Sequence, residues 1–300
     1  MTSVISAQGL TKRFGRTVVL DGLDLNVPTG SIYGLLGPNG VGKTTTIKVL
    51  MNILRPTGGR SEVMGTDSRR LGPVDFTRIG YVSENQEMPE WMTVRYFLEY
   101  LSGFYPAWDR ALADELVRAF QLPLGRKLKQ LSRGMKMKAA LASSLAYRPK
   151  LIVLDEPFSG LDALVRDELI EGLLARAEGT TIFISSHDLA EIESFASHIG
   201  YLDGGRMQFS EELEALSARF REISLMFEMP PELPREWPVN WLRAEIAGPV
   251  LRFIETRFDE RRTPEEARRL FPEYRDMTAS AMPLRSIFVA LAKANRDGAR

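Results

Sequence analysis

Ser31-Ile32-Tyr33-Gly34-Leu35-Leu36-Gly37-Pro38-Asn39-Gly40-Val41-Gly42-Lys43-Thr44-Thr45 is the stretch that decides the fold. Ser31 to Leu36 reads as a buried strand, Gly37 to Thr44 match the pattern G-x-x-x-x-G-K-[ST], and the residues from Lys43 to about Leu54 predict a helix that stops before Pro56 and Gly58-Gly59. A strand that enters a helix through such a loop points successive backbone N–H groups, and the positive end of the helix dipole, at one anion. Gly37, Pro38, Asn39, Gly40, Val41, Gly42, Lys43, Thr44 and Thr45 are therefore the candidate phosphate cradle. In it Lys43 reaches the β and γ phosphates of a nucleotide, and the Thr44 hydroxyl takes a place on Mg²⁺.

Working outward, a second apolar run, Leu151-Ile152-Val153-Leu154, ends in Asp155-Glu156. Side chains alternate along a strand, so the two carboxylates take different directions and can hold different tasks. Asp155 suits the magnesium shell, and Glu156 suits the orientation and deprotonation of an attacking water. A third run, Thr181 to Ser185, precedes His187 and puts it at the carboxyl edge of the same sheet, where open α/β sheets bind ligands. A lone His there would by itself read first as a surface residue capping the helix that starts at Asp188. Continuous apolar or β-branched runs of this kind, bracketing a helix from about Ala163 to Ala177, suit a parallel sheet covered on both faces.

The flanks differ. Val4 to Leu10, Val18 to Leu20 and Leu23 to Val27, separated by Gly15 and by Asp21-Gly22, predict three short antiparallel strands with hairpin turns. Thr93 to Tyr147 turns helical, with Val94, Phe97, Leu98 and Leu101 and then Leu112, Leu116 and Phe120 at three- and four-residue spacing. Phe97 and Phe104 are expected in the core of this insertion, and Met88 to Met92 at its surface. Tyr201 to Ser210, broken by Gly204-Gly205, predicts a hairpin. Beyond it come a helix near Glu211 to Phe220, a strand near Ile223 to Phe227, a proline-rich bend from Pro230 to Pro238 and a closing amphipathic helix, Leu284 to Ala294. The fold class is α/β: a phosphate-loop NTPase core with a parallel sheet, an N-terminal antiparallel β layer, a helical insertion over about 88–148, and a small α+β C-terminal extension. The boundary is expected at 210, with an ATPase domain over 1–210 and an accessory domain over 211–300.

Composition narrows the setting. The 300 residues carry 39 basic and 39 acidic side chains, so no global field draws the chain to nucleic acid or to an anionic membrane. Cysteine is absent, which excludes disulfides and thiolate metal sites and agrees with a cytoplasmic setting. Met1 to Lys12 does not read as a secretory signal, and no apolar run approaches the roughly 20 residues that span a bilayer.

Two further segments select among phosphate-loop enzymes. Leu131-Ser132-Arg133-Gly134-Met135 heads a helix ahead of Asp155, and Ser159-Gly160-Leu161-Asp162 follows Glu156. In this order the first 210 residues or so resemble the ATP-binding subunits of ABC transporters. The resemblance implies ATP and Mg²⁺ as ligands, with Glu156, His187 and Lys43 as the catalytic group. It implies Phe14 as the aromatic stacked on adenine, and Glu84, at the loop joining the core to the insertion, as a magnesium neighbour beside Thr44 and Asp155. Ser132 and Gly134 would bind the γ phosphate of ATP held by a second ATPase subunit, with Ser159 to Asp162 crossing the interface and Asp162 near the nucleotide. The insertion would receive a coupling helix from an integral membrane permease, with the chain peripheral on the inner face of the cell membrane. Pro283 to Leu291 resembles the end of exporter-type subunits and favours efflux. The common pattern is Leu-Ser-Gly-Gly-Gln in the signature and Gln at position 84; here Arg133, Met135 and Glu84 stand instead. A non-transport ABC ATPase, or a regulatory ATP-binding module with low turnover, shares the same motifs.

Overall fold

In the computed structural model, which describes residues 2–175, 179–234 and 237–297, the N-terminal alternation folds into two long strands, β1 (Ser3–Phe14) and β2 (Thr17–Pro28). The expected break at Asp21-Gly22 is not a turn. Both residues lie inside β2, where the antiparallel pairing with β1 shifts register near Leu23 and Leu20, so the pair forms an irregularity that bends one strand. Strand β3 (Ile32–Leu36) then leads through the glycine-rich loop into α1 (Lys43–Leu50). That helix is one turn shorter than expected, because Asn52 adopts a left-handed φ of 57°.

Strands β4 (Gly58–Val63) and β5 (Thr66–Asp67) complete a four-stranded sheet of order β2-β1-β4-β5. The short α2 (Pro73–Phe76) precedes β6 (Ile79–Ser83). The helical insertion follows as α3 (Val94–Ser102), α4 (Arg110–Ala119) and α5 (Arg133–Leu145). Each starts on a side-chain cap: Thr93 Oγ1 accepts from Tyr96 N at 3.2 Å, Asp109 Oδ1 from Leu112 N at 3.0 Å, and Ser132 Oγ from Met135 N at 3.3 Å. Such a cap is worth about 1 kcal/mol to its helix.

The chain re-enters the sheet as β7 (Leu151–Asp155), continues through α6 (Ala163–Leu174) and returns as β8 (Thr181–Ser186). The expected end of α6 at Ala177 lies outside the described residues. Strand β9 (His198–Asp203) and, after the Gly204-Gly205 turn, β10 (Arg206–Glu212) close a six-stranded sheet of order β10-β9-β3-β8-β7-β6. Its central pairings, β9 to β3, β3 to β8, β8 to β7 and β7 to β6, are all parallel. One apolar core joins both sheets to α1 through Ile5, Leu10, Leu20, Tyr33, Leu35, Ile47, Val153 and Phe183. The carboxyl ends of β3, β7 and β8 are thereby fixed side by side at the amino end of α1.

Residues divide into two compact units, Met1–Ser210 and Glu211–Arg300. The second holds α7 (Leu213–Arg219), β11 (Arg221–Met226), β12 (Trp241–Ala247), β13 (Val250–Glu255), α8 (Arg262–Leu270), β14 (Asp276–Ala281) and α9 (Leu284–Asp297). Its antiparallel sheet, of order β12-β13-β11-β14, shares a core of Ile223, Leu225, Trp241, Phe253 and Phe271 with Ala267 of α8.

Candidate functional site

The loop between β3 and α1 turns on glycines: a Cβ on Gly37 would stand 2.3 Å from Leu202 O, and Gly40 takes φ +79°. Gly42 takes φ +115°, and a Cβ there would stand 2.8 Å from Leu20 Cδ2 and 3.1 Å from Val19 O. The loop therefore lies against β2, and this contact holds Lys43 at the mouth of α1. Lys43 is buried, with Nζ donating to Gly37 O at 2.6 Å and Pro38 O at 3.0 Å and pairing with Glu156 Oε1 at 3.1 Å. Its charge is thus held at the loop by main-chain carbonyls and a carboxylate.

Asp155 and Glu156 part company as strand alternation predicts, and the backbone exaggerates the difference. Asp155 ends β7, whereas Glu156 sits at φ +50°, a conformation costly for a non-glycine residue and most often kept where a side chain must be aimed. Asp155 Oδ1 accepts from Thr44 Oγ1 at 3.0 Å and Ser185 Oγ at 2.8 Å. Burial raises its carboxyl above the usual range, against the pull of those two hydroxyls. Glu156 is buried as well, and its other oxygen, Oε2, lies 2.8 Å from His187 Nδ1. That hydrogen bond raises the His187 pKa above its ordinary value, opposed by partial desolvation of the ring. One carboxylate therefore bridges the lysine of the loop and the histidine after β8.

A cleft gathers these groups. Asn39, Gly40, Gly42, Lys43, Thr44 and Thr45 line it from the loop, and Glu84, Glu156, Ser159 and His187 from the ends of β6, β7 and β8. Gly37 and Pro38 contribute through their carbonyls on Lys43, while Val41 is half-buried against the core. Phe14 is elsewhere: it ends β1 with its ring 48% exposed and Lys12 Nζ 4.8 Å above it. Ser132 caps α5, and Asp162 caps α6 by accepting from Val165 N at 3.0 Å; neither lines the cleft. Gly134 is set by packing, since a Cβ on it would meet Val165 Cγ1 at 2.7 Å.

Behind the cleft, two hydroxyls support its residues. Ser185 ends the apolar run of β8, yet its hydroxyl donates to Asp155 and accepts from Glu156 N at 3.0 Å, so it fixes the Asp155 carboxylate and the Glu156 backbone. The readable signal was a hydroxyl pair, Ser185-Ser186, closing a run otherwise built to be buried. Ser186 in turn donates to Glu191, a carboxyl raised by burial, beneath the His187 segment. On the insertion, two expectations reverse. Met92 is buried, 5% exposed, because its carbonyl accepts from Leu128 N and draws the segment into the helices. Phe104 is 60% exposed, since α3 ends at Ser102 and its ring packs edge-on against Tyr100 at 5.1 Å.

A phosphate loop, two divergent carboxylates and a histidine at one sheet edge are shared by several ATPase families, and comparison with known proteins separates them. The model of the ABC transporter family matches residues 20–159. The daunorubicin/doxorubicin resistance ATP-binding protein of Streptomyces peucetius is 32% identical over 97% of this chain and 92% of its own length. The chain belongs to the ABC transporter family of ATP-binding proteins. The bacitracin transport ATP-binding protein of Enterococcus faecalis is 33% identical to this ABC ATPase over 75% of the chain and 74% of its own length. A solved structure of an ATP-binding subunit of an ABC transporter superposes with a TM-score of 0.65 at 26% identity, covering 72% of this chain and 92% of that one. The chain is thus an ABC ATPase with the α/β phosphate-loop fold expected from Gly37 to Thr44.

Proposed function

We propose that this ABC ATPase powers efflux through a separate integral membrane permease, working from the cytoplasmic face of the cell membrane as one of two facing ATPase subunits. The observation that carries the reading is the Glu156 carboxylate, held between Lys43 Nζ at 3.1 Å and His187 Nδ1 at 2.8 Å in the cleft of the phosphate loop. Relatives named for drug resistance and for bacitracin transport support the direction. Among the described residues, no helix is long and apolar enough to cross a membrane; in this reading a separate permease supplies the path for a solute.

In this reading the loop amides and Lys43 bind the triphosphate, which takes over the lysine from Glu156. Glu156 then accepts the proton of the attacking water, and His187 holds the carboxylate in place and faces the γ phosphate. Asp155 is a buried carboxylate whose bonded donors are the hydroxyls of Thr44 and Ser185. With the Thr44 oxygen it makes a set of hard donors that fits Mg²⁺. Bound there with Glu84 nearby, the ion supplies neutralisation of phosphate charge. Phe14, exposed at the end of β1, is available to adenine, and Ser132, Gly134 and Asp162 at the heads of α5 and α6 serve the nucleotide of the facing subunit. The exposed rings of Trp91, Tyr96, Tyr100 and Phe104, paired at 5.6 Å and 5.1 Å, form the apolar surface that meets the permease. Residues 1–210 make the motor, and 211–300 an accessory domain.

Affinity purification from membranes of the source cell tests this. Wild-type chain is expected to retain a polytopic membrane protein, and Trp91→Ala with Tyr96→Ala to lose it while ATP binding stays unchanged. Retention of a soluble partner alone contradicts the transport reading.

A further inference from the structure

Glu84 lines the cleft, and its carboxylate is tied to a residue that does not. Its Oε1 accepts from Arg133 Nη2 at 2.7 Å, across 49 positions of sequence. Arg133 is the first residue of α5, beside the capping Ser132. The same guanidinium lies against the turn after β7: a Cβ on Gly160 would stand 3.1 Å from Nη1, next to the cleft residue Ser159. One cation therefore reaches the carboxylate that faces the phosphate pocket and the loop that borders it.

These are the two positions where charge replaces the neutral residues of the common signature and loop, and the two charges are opposite and in contact. A carboxylate at 84 facing the same cavity as Lys43 and Thr44 repels a triphosphate; an adjoining guanidinium cancels that field. The side chains are 31% and 48% exposed, so the pair is too solvated to be a major element of the fold. Its effect lies in the field it leaves in the cleft.

We propose that Arg133 is a positioning residue for its own chain's nucleotide site, neutralising Glu84 and holding the head of α5 to the cleft. This rests on the cleft being the MgATP site. It differs from the role that the signature carries toward a facing subunit, because it acts within one chain and requires no dimer.

The test is a double-mutant cycle on the full-length protein, with a fluorescent ATP analogue and magnesium, at protein concentrations where light scattering shows monomer. Arg133→Gln is expected to weaken binding about five- to thirtyfold at low ionic strength, and less at high salt. Glu84→Gln, which takes a carboxylate out of the cleft, is expected to change binding by less than Arg133→Gln does. The double variant is expected to return to within about twofold of wild type, a non-additivity that only coupled residues show. Damage to the fold by Arg133→Gln would not be repaired by removing a second charge, so the rescue separates the two explanations. Unchanged binding by the Arg133→Gln monomer, or a double variant as weak as Arg133→Gln, overturns the proposal. Failure of the wild-type chain to bind the analogue overturns instead the assignment of the cleft.

Discussion

Replacing Glu156 by Gln removes one negative charge and almost no volume from the centre of the cleft. In the native chain that carboxylate accepts from Lys43 at 3.1 Å and meets His187 at 2.8 Å. The amide keeps an oxygen for Lys43, which also retains the carbonyls of Gly37 and Pro38. The fold should therefore lose about 1 to 3 kcal/mol, the range for weakening one buried hydrogen-bonded contact to a charge. If Glu156 is the proton acceptor, hydrolysis loses it. Positioned general bases contribute about 10² to 10⁴ in rate, equivalent to about 3 to 5 kcal/mol in the barrier. Affinity should stay level or improve, because Lys43 no longer has a carboxylate competing with the triphosphate. Single-turnover phosphate release measures the first effect, and equilibrium binding of a fluorescent ATP analogue the second. A Gln variant that folds, binds and releases phosphate within threefold of the wild-type rate refutes the assignment of the base.

Three other perturbations follow from the same geometry. Ser185→Ala removes the donor to Asp155 and strands the buried Glu156 N–H; stability should fall by about 1 to 3 kcal/mol, seen in chemical denaturation, and turnover should fall more than binding. Gly42→Ala forces a Cβ into Leu20 and Val19 at φ +115°. The cost should be about 1 to 3 kcal/mol, seen as a lowered first thermal transition together with weaker nucleotide binding, and an unchanged transition argues against the strained loop. His187 should titrate above 6.5, because Glu156 stabilises its charged form. The corresponding stability is complete below about pH 6.5, the unfolded value, and is lost as pH rises through the raised folded value. Histidine resonances followed by NMR, with His198→Gln for assignment, report this, and Glu156→Gln should move the His187 midpoint down.

The phosphate loop and the strands that present it were legible because their signals are local. Gly37 to Thr44 is a contiguous pattern, and the runs Leu151 to Leu154 and Thr181 to Ser185 are too apolar and β-branched for anything but the buried strands they form in β7 and β8. What escaped depends on tertiary neighbours. Asp21-Gly22 has turn chemistry, yet it is absorbed into β2 by pairing with β1 on both sides. Met92 and Phe104 exchange exposure because helix ends, not residue types, decide which side of the insertion each meets. Ser185 gains its role from Asp155 and Glu156 at the end of the neighbouring strand β7, and the Arg133–Glu84 contact joins segments that share no local pattern.

If main-chain amides and Lys43 at the carboxyl end of β3 hold a nucleoside triphosphate, the full-length chain must bind MgATP. Calorimetric titration of the full-length chain with MgATP tests it most directly. Saturable binding with a Kd between about 1 μM and 1 mM, the usual span for enzyme substrates, weakened at least about tenfold by Lys43→Ala, is the predicted result. Absence of heat and of competition with a fluorescent analogue by the folded wild-type chain, or a Lys43→Ala variant that binds as well as wild type, would contradict it.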